Sequence, residues 1–462
     1  MKILLIVYDD DAYINMFPIG IAHIASILLK YGIDVEIYNQ DIHHYSYEHL
    51  TEYLDANSFD FVGLGITGGY YQYRKLLKIS QAINNSKKRP FFILGGHGPS
   101  PEPSFFLQKS KADAIVIGEG EITIINLINA VQNHLPLSSV KGIAFMNEGI
   151  VTINESQPLI EDLDTIPWPA YELFPIIYYR LLRSPNSSTS DFVMSVLSGR
   201  GCKFKCNFCY RMDKGLRLRS CDAVTEEIIY LKKEYGINYV RFEDELFMSS
   251  ESRTELLCKK FIEEKLNIKW WCNGRLNYAK KNILKLMKEA GCVFVNYGIE
   301  SMDNDILKTM NKALHTSQIL SGIEATIDAG LTPGYNIIFG NIGENKETLI
   351  KGRKFLMEHT DSSQLRTIRP VTPYPGSPLY YYAIENNLLA DCEDFYENKH
   401  VNSDLLSVNF SELEDDEFHK CLMETNIMLI EKYYKKVLCE SIEEVKKLYS
   451  KKNVNFRGFR HS

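Results

Sequence analysis

Short apolar runs alternate with amphipathic stretches through the first quarter of the chain. A strand that is buried on both faces reads as a continuous apolar run, so this pattern predicts a parallel sheet covered by helices on both sides. The predicted strands are 2–8, 34–39, 61–67, 91–96 and 114–120, and the first predicted helix is 19–32. The pattern therefore predicts an α/β, doubly wound, Rossmann-like domain, to which we assign residues 1–135.

The pattern weakens after this domain, and a second series of strands and helices then begins. Residues 136–190 contain a predicted hairpin and the proline-punctuated stretch DLDTIPWPAYELFP, which we interpret as a connector. The strands predicted beyond it are 192–198, 238–244, 268–274, 294–300, 335–340 and 364–370. They predict a partial (β/α)6 barrel of the TIM type over residues 191–380, with its chemistry at the carboxyl ends of the strands. Residues 381–462 read as a helical C-terminal region, expected to line or cap the pocket.

Composition narrows the class of protein. The chain has 462 residues, of which 45% are hydrophobic and 24% are charged, as is typical of globular proteins. No apolar run approaches the roughly 20 residues that span a bilayer. The net charge of -7 argues against a broad nucleic-acid surface. The N-terminus enters a predicted strand at Lys2 without a signal-peptide pattern, so we expect a cytoplasmic protein.

Ten cysteines are present, and they fall into two groups. Three of them, Cys202, Cys206 and Cys209, are spaced C-x3-C-x2-C in GCKFKCNFCY, just past the first predicted barrel strand. Because no secretory signal precedes them, they are better explained as metal ligands than as disulfide partners. The other seven are scattered singly and are predicted to be small buried hydrophobic residues: Cys221, Cys258, Cys272, Cys292, Cys392, Cys421 and Cys439.

The three clustered thiols lack the fourth ligand of a structural zinc site, since neither a second CxxC nor a nearby histidine completes the set. Three thiolates on a four-iron cluster would leave one iron open to a small molecule. The spacing, with the aromatic Phe208 directly before Cys209, resembles the signature of the radical S-adenosylmethionine (SAM) superfamily. The resemblance implies a 4Fe-4S cluster on these cysteines, with SAM on the open iron. It also implies that an electron from the cluster cleaves SAM, giving a 5'-deoxyadenosyl radical that abstracts hydrogen from a substrate.

Four further stretches resemble the SAM-binding segments of that superfamily. FEDELF (242–247) would approach the methionyl amine, and the arginine after WWCNG would approach the methionyl carboxylate or the ribose. YGIES (297–301) resembles the ribose-binding strand, and FGNIGE (339–344) resembles the glycine-rich turn near adenine, although Asn341 and Ile342 depart from the family pattern. The implied SAM-binding residues are Phe208, Glu243, Asp244, Glu245, Arg275, Glu300, Ser301 and Gly340.

The first domain has a resemblance of its own. FPIGIAHIASILLKYGIDVEIYNQD, GGHGPSPEP and DAIVIGEGEIT resemble the cobalamin-binding domain of cobalamin-dependent radical SAM enzymes. A methylthiotransferase, the alternative subgroup, would carry three more cysteines in this domain, whereas none precedes Cys202. A corrin would lie at the carboxyl ends of the strands, with Tyr70, Tyr71 and Tyr210 near the cavity. The implied cobalamin-binding residues are Thr67, Gly68, Gly69, Tyr70, Gly95, Gly96, His97, Gly118, Glu119 and Gly120.

One feature departs from the cobalamin-binding pattern. Proteins that replace the lower axial base of cobalamin with a histidine carry DxHxxG after the first strand, but residues 9–15 here read DDDAYIN. A near match, DIHHYS at 41–46, follows the second strand and ends in serine, so a polar loop is the simpler interpretation. We therefore expect cobalamin to bind without a histidine ligand.

The two resemblances together imply a C-methyltransferase, which would transfer a methyl group from methylcobalamin to an unactivated centre of a natural-product, peptide or lipid precursor. One alternative is a radical SAM cyclase or oxidoreductase that uses the same cofactors without methyl transfer. Another is a radical SAM enzyme whose first domain is only a docking module. The expected partners are a small-molecule or peptide substrate and an external electron donor such as flavodoxin or ferredoxin.

Overall fold

A computed structural model describes residues 1–11, 16–182, 184, 186–212, 215–362, 364–405 and 408–451. Its first part is built on a seven-stranded sheet in the order β2-β1-β3-β4-β5-β6-β7. The strands are β1 Lys2–Val7, β2 Asp34–Asn39, β3 Phe61–Gly65, β4 Phe91–Gly95, β5 Ala114–Val116, β6 Ile143–Asn147 and β7 Ile150–Ile153. Strands β1 to β5 are parallel, and β6 and β7 add an antiparallel edge.

Helices cover both faces of this sheet. They are α1 Ile19–Lys30, α2 Gln40–His43, α3 Tyr47–Ala56, α4 Tyr70–Asn85, α5 Pro103–Ser110 and α6 Gly120–Gln132. Within β1, Leu4 packs into a core that includes side chains of α3, α4 and α5, whereas Leu5 packs into a second core with α1 and α6. Because both faces are buried, the strands read as continuous apolar runs, and the prediction of a doubly wound domain is confirmed.

A connector of short elements leads to the second sheet. It follows β7 and contains 3-10 turns at Leu163–Thr165 and Tyr171–Leu173 and the short helix α7 Ile176–Tyr179, whereas the 3-10 turn Leu137–Ser139 precedes β6. Its aromatic side chains pack onto the first domain, since the rings of Tyr171 and Tyr179 lie 5.5 and 5.4 Å from that of Phe17. The connector therefore joins the cores of the two sheets.

The second sheet has five parallel strands in the order β14-β13-β12-β11-β8, and a small antiparallel pair β9–β10 lies outside it. The strands are β8 Val193–Val196, β9 Gly199–Arg200, β10 Arg217–Leu218, β11 Tyr239–Phe242, β12 Lys269–Gly274, β13 Cys292–Glu300 and β14 Thr332–Ile337. The helices are α8 Cys221–Tyr235, α9 Glu251–Glu263, α10 Lys281–Glu289, α11 Asn304–Thr309, α12 Thr316–Asp328 and α13 Lys346–His359, with a 3-10 turn at Leu276–Tyr278. The parallel strand-helix succession confirms the predicted partial barrel.

The sixth predicted strand, 364–370, is reduced to a single parallel bridge between Phe339 and Pro370. Side chains take the place of a strand partner there. Asn426 accepts a hydrogen bond from the Ile368 N–H at 2.7 Å and donates to the Ile368 carbonyl at 3.0 Å. Pro370 has no N–H to give to a ladder. The barrel consequently stays open on this side.

The C-terminal region packs on both domains. It contains α14 Pro378–Glu385, α15 Cys392–Asp394, a π-helical turn at Phe395–Lys399 and α16 Asp415–Lys451. Tyr380 and Tyr396 belong to the same core as Tyr73 of α4, whereas Phe418 and Leu422 of α16 join the barrel core. Some side chains of this region thus belong to the two cores, and its expected role of lining or capping the pocket stays a prediction. No helix of the described residues is long and apolar enough to cross a membrane.

The scattered cysteines follow the prediction only in part. Cys258, Cys272, Cys292 and Cys392 are buried as predicted, but Cys221 and Cys421 are partly exposed. The prediction was wrong for Cys439, which is exposed on α16 because the distal part of this helix extends beyond the barrel core.

Candidate active site where the two domains meet

The cysteine loop runs from β9 to β10, beyond the carboxyl end of β8. Cys206 is buried, Cys202 and Cys209 are partly buried, and all three are free thiols. A hydrogen bond from Cys209 lowers the pKa of the Cys206 thiol below its usual value. Among the described residues, no three His, Cys, Asp or Glu side chains converge as around one metal ion. Three thiolates in one loop are the donors that would hold a four-iron cluster with one iron left open.

Arg275 lies against the cysteine loop at the end of β12. Its guanidinium carbon is 3.4 Å from the centre of the Phe204 ring, and its Nη1 is 3.9 Å from the Cys206 sulfur. Nη2 donates a hydrogen bond to the Lys312 carbonyl, and the side chain is only 6% exposed. A buried cation next to a thiol favours the thiolate form, which is the form that binds iron. The structure therefore places Arg275 beside Cys206, while a SAM contact remains a prediction.

A buried ion pair borders the same loop. Lys312 Nζ lies 2.8 Å from Glu300 Oε1 and 5.7 Å from the centre of the Phe208 ring. Glu300 ends β13 with φ of +68°, a left-handed conformation that is costly for a residue other than glycine. A Cβ at Gly298 would lie 2.4 Å from Glu300 Oε1 and 2.8 Å from Lys312 Nζ, so a larger residue there would displace the ion pair. Sequence reasoning missed Lys312, because no pattern distinguishes a buried lysine so far along the chain from the cysteines.

The three carboxylates of FEDELF have different surroundings. Asp244 is buried and accepts hydrogen bonds from the Ser198 N–H at 2.9 Å and the Ser198 hydroxyl at 2.6 Å, while burial raises its pKa to about 6. Glu243 accepts a hydrogen bond from Ser195 at 2.7 Å and pairs with Arg241. Glu245 is exposed; burial, and to a smaller extent the charge of Glu245, raises the pKa of Cys202. The charge of Glu245 thus acts on Cys202 in the cysteine loop.

The FGNIGE turn is held by its own carboxylate. Glu344 is 1% exposed and accepts hydrogen bonds from the N–H groups of Gly340 at 2.6 Å and Asn341 at 3.0 Å. Burial raises the pKa of Glu344 to about 8. Gly340 has φ of +91°, and Ser301, another predicted SAM-binding residue, is buried after β13. Asn341, where the sequence departs from the family pattern, contacts Asn207 inside the cysteine loop.

The carboxyl edge of the first sheet is open and rich in glycine. Thr67 and His97 are exposed, and the hydroxyl of Tyr8 hydrogen bonds with the side chains of Thr67 and Gln72. Gly118 has φ of +78°, and a Cβ built there would meet no atom within 4 Å. An open, glycine-lined edge at the ends of parallel strands fits a large flat ligand such as a corrin.

Some of the predicted cobalamin-binding residues have contacts within the protein. A Cβ at Gly95 would lie 3.6 Å from Val116, and a Cβ at Gly120 would lie 2.8 Å from Ile24. Glu119 is buried and paired with arginines of the second domain. Gly68 packs beside Tyr396, whose hydroxyl donates to the Gly68 carbonyl at 3.1 Å.

The other predicted residues of this edge lie at the starts of helices or in turns. Gly69 caps α4 and Tyr70 begins it, whereas Gly96 has φ of +98°. Residues 12–15 of DDDAYIN lie outside the described residues. The first three residues of DIHHYS end the short helix α2 instead of lying in the predicted loop, and His43 is exposed and stacks on Tyr45 at 4.9 Å.

The cysteine loop and the glycine-rich edge are in contact. The ring of Tyr210, directly after Cys209, meets the ring of His97 edge-on at 6.3 Å. Two residues further along, the sulfur of Met212 lies 3.8 Å from the Ser100 hydroxyl. Of the other two tyrosines predicted near the cavity, Tyr70 lies 6.4 Å from the ring of His400 and Tyr71 is exposed. The two predicted cofactor regions are therefore neighbours.

Comparison with known proteins finds one family match in each of the two domains. Residues 196–356 match the Radical SAM superfamily, and residues 7–128 match the B12 binding domain. An uncharacterized methyltransferase of Pyrococcus horikoshii is 30% identical over 400 residues, which are 84% of each chain. An anaerobic magnesium-protoporphyrin IX monomethyl ester cyclase of Rubrivivax gelatinosus is 27% identical over 379 residues, which are 79% of this chain and 66% of the cyclase.

A solved structure shows the same fold over nearly the whole chain. The radical SAM methyltransferase TsrM from Kitasatospora setae, with cobalamin and a 4Fe-4S cluster bound, superposes with a TM-score of 0.72. The match covers 93% of this chain and 88% of TsrM at 16% identity, which shows the fold alone. Together with the two matched domains and the Pyrococcus relative, it shows that the chain belongs to the cobalamin-dependent radical SAM enzymes, whose cofactors are a 4Fe-4S cluster, SAM and cobalamin.

Proposed function

We propose that the enzyme is a C-methyltransferase acting on a natural-product, peptide or lipid precursor. The observation that carries the proposal is the contact between the cysteine loop and the glycine-rich edge, where Tyr210 meets His97 at 6.3 Å. A substrate bound beside this contact would face SAM on one side and a corrin on the other. The Pyrococcus relative is named an uncharacterized methyltransferase, and this name agrees with transfer of a methyl group.

The cysteine loop with its neighbours and the glycine-rich edge would bind different cofactors. Cys202, Cys206 and Cys209 would hold the cluster, while Glu300 and Ser301 would hold SAM. The glycine-rich edge would hold the corrin. When bound, the cluster and SAM supply one-electron hydrogen abstraction and cobalamin supplies the methyl group. The protein keeps Cys206 buried, which limits access of water to this part of the loop.

The direct test is an anaerobic assay of reconstituted enzyme with cobalamin, SAM and extracts or libraries of the proposed precursors. A methyltransferase forms S-adenosylhomocysteine together with 5'-deoxyadenosine and a methylated product. Formation of 5'-deoxyadenosine with a converted but unmethylated product would instead establish a cyclase or oxidoreductase, the activity for which the Rubrivivax relative is named. An absorption spectrum that shows no cobalamin after reconstitution would leave the first domain as a docking module.

The electron donor is proposed to be an acidic carrier such as flavodoxin or ferredoxin, as expected in a reducing cytoplasm. Lys203 and Lys205 of the cysteine loop are both exposed. Positive charges beside the buried Cys206 would attract such a carrier by electrostatic steering. Reduction of the cluster by flavodoxin should then slow as ionic strength rises, which stopped-flow absorbance would measure.

A further inference from the structure

Two carboxylates of the first domain are paired with two arginines that bracket the cysteine loop. Glu119 Oε1 lies 2.7 Å from Arg200 Nη1, and Glu119 Oε2 lies 2.9 Å from Arg217 Nη1. Glu121 Oε1 lies 2.5 Å from Arg200 Nη2. The Glu119 and Glu121 side chains are at most 6% exposed, and that of Arg217 is 9% exposed. We call these four residues the interdomain latch.

The latch holds both ends of the cysteine loop. Arg200 is the last residue of β9, directly before Gly201 and Cys202, and Arg217 is the first residue of β10. The two arginines face each other in the antiparallel pair. One carboxylate, Glu119, therefore fixes the entrance and the exit of the loop at once. Arg217 also donates a hydrogen bond to the Ile160 carbonyl at 2.7 Å, which attaches the connector to the same end of the loop.

On the other side, the latch begins at the glycine-rich edge. Glu119 follows Gly118 directly and is the N-cap residue of α6, and Glu121 is in the first turn of this helix. Gly118 has open space where a Cβ would be, which makes it part of the edge that fits a corrin. A ligand that shifts or stiffens the backbone at Gly118 would therefore act on Glu119, one residue away.

Burial of the ion pairs determines how much the interdomain latch contributes to holding the loop. Exposed ion pairs contribute little, but removing one partner of a buried, hydrogen-bonded pair leaves an uncompensated charge. Loss of the Glu119 charge would remove the ion pairs that this carboxylate makes with Arg200 and Arg217, and the Glu121–Arg200 pair would remain. Both ends of the loop would then be held less firmly.

We propose that the interdomain latch positions the cysteine loop from the first domain, so that occupation of the edge at Gly118 governs how firmly the loop retains its cluster. Arg200 and Arg217 are positioning residues in this account, since they act on the loop through their ion pairs with Glu119 and Glu121. Glu119 contributes its side-chain carboxylate, which pairs with both arginines. The identities of the cluster and of the corrin rest on the proposed function.

The test uses full-length protein reconstituted anaerobically, and it measures release of iron to a ferrous chelator. We expect Glu119→Gln to lose iron several-fold faster than the wild type and to broaden the electron paramagnetic resonance spectrum of the reduced cluster. Glu121→Gln should have a smaller effect, because Glu119 still pairs with both arginines. Glu155→Gln is the matched control, since it removes an equivalent charge from the exposed Lys141–Glu155 pair and should behave as the wild type.

A second measurement tests the coupling with hydroxocobalamin. Cobalamin should slow iron release from the wild type at least twofold and have no effect in Glu119→Gln. Iron release from folded Glu119→Gln at the wild-type rate, or equal protection by cobalamin in both proteins, would overturn the proposal. If Glu119→Gln does not fold, Arg200→Lys replaces it in the same chelation assay, because it keeps the positive charge but only part of the contact with the carboxylates. Faster iron release from Arg200→Lys than from the wild type would support the proposal, and an equal rate would overturn it. Failure of the wild type to bind cobalamin would count against the proposed function, while the chelation rates without cobalamin would still decide whether the latch holds the loop.

Discussion

Asn207 and Asn341 exchange two hydrogen bonds through their side-chain amides. Asn207 Nδ2 lies 3.1 Å from Asn341 Oδ1, and Asn341 Nδ2 lies 3.2 Å from Asn207 Oδ1. Asn207 directly follows Cys206 in the cysteine loop, and Asn341 is fully buried in the FGNIGE turn. The pair therefore joins the loop that would carry the cluster to the turn that would approach adenine.

The amide pair predicts coupled effects of mutation. Asn207→Ala and Asn341→Ala should each lower the free energy of unfolding by about 1–3 kcal/mol, because each leaves a polar partner unpaired. The double variant should cost clearly less than the sum of the two, since neither side-chain amide of the pair is left without the other. Urea unfolding of the cluster-free proteins measures all three values. Additive losses would show that the two amides do not act as a pair.

The Glu300–Lys312 pair predicts a large loss of stability. Glu300→Gln leaves the buried Lys312 ammonium without a charged partner, so the free energy of unfolding should fall by about 3 kcal/mol or more. Glu417→Gln, which breaks the exposed Lys346–Glu417 pair, is the control and should cost less than about 1 kcal/mol. Urea unfolding of cluster-free protein compares the two. Equal small losses would mean that solvent reaches Lys312.

Glu344 predicts a dependence of stability on pH. Its pKa is raised from 4.5 to about 8 by burial, so the folded state binds a proton that the unfolded state releases between these values. The free energy of unfolding should therefore fall as pH rises from about 5 to 8. Glu344→Gln removes this proton and should flatten the fall. Melting temperatures of both cluster-free proteins between pH 5.5 and 8.5 measure the difference, and parallel curves would contradict the account.

Substitution of Gly118 should weaken cobalamin binding by more than its effect on protein stability explains. Gly118→Ala should cost about 1–2 kcal/mol of stability for its left-handed backbone, and its methyl group would enter the open space at the edge. Gly149→Ala is the matched control, because Gly149 also has positive φ and open surroundings but lies in the turn between β6 and β7. Both variants should lose similar stability, whereas Gly118→Ala alone should weaken hydroxocobalamin binding at least tenfold in a spectrophotometric titration. Equal affinities would place the corrin away from Gly118.

The sequence predicted the features that leave local patterns. Apolar runs such as Lys2–Val7 mark strands buried on both faces, and the cysteine spacing lies within one loop. Contacts between distant segments leave no such pattern. The Asn207–Asn341 pair, the position of Lys312 and the pairing of Glu119 with Arg200 depend on how the two domains and the loops pack.

The position of a segment in the series of predicted strands did not always predict its structure or the burial of its side chains. The stretch 364–370 has the composition of a strand, but the Asn426 side chain takes the backbone groups of Ile368 that a neighbouring strand would need. The residues of FEDELF were predicted as a group, whereas burial separates Asp244 from the exposed Glu245. Tertiary packing, rather than propensity, decided both cases.

The central claim is that Cys206 belongs to a cluster that cleaves SAM, in a protein whose first domain binds cobalamin independently. The most direct measurement is 5'-deoxyadenosine formation by anaerobically reconstituted wild type and Cys206→Ala, with hydroxocobalamin binding followed by absorbance on the same samples. The account predicts 5'-deoxyadenosine from the wild type, none from Cys206→Ala, and equal cobalamin binding by both. A Cys206→Ala enzyme that still forms 5'-deoxyadenosine, or a reconstituted wild type that forms none, would contradict it.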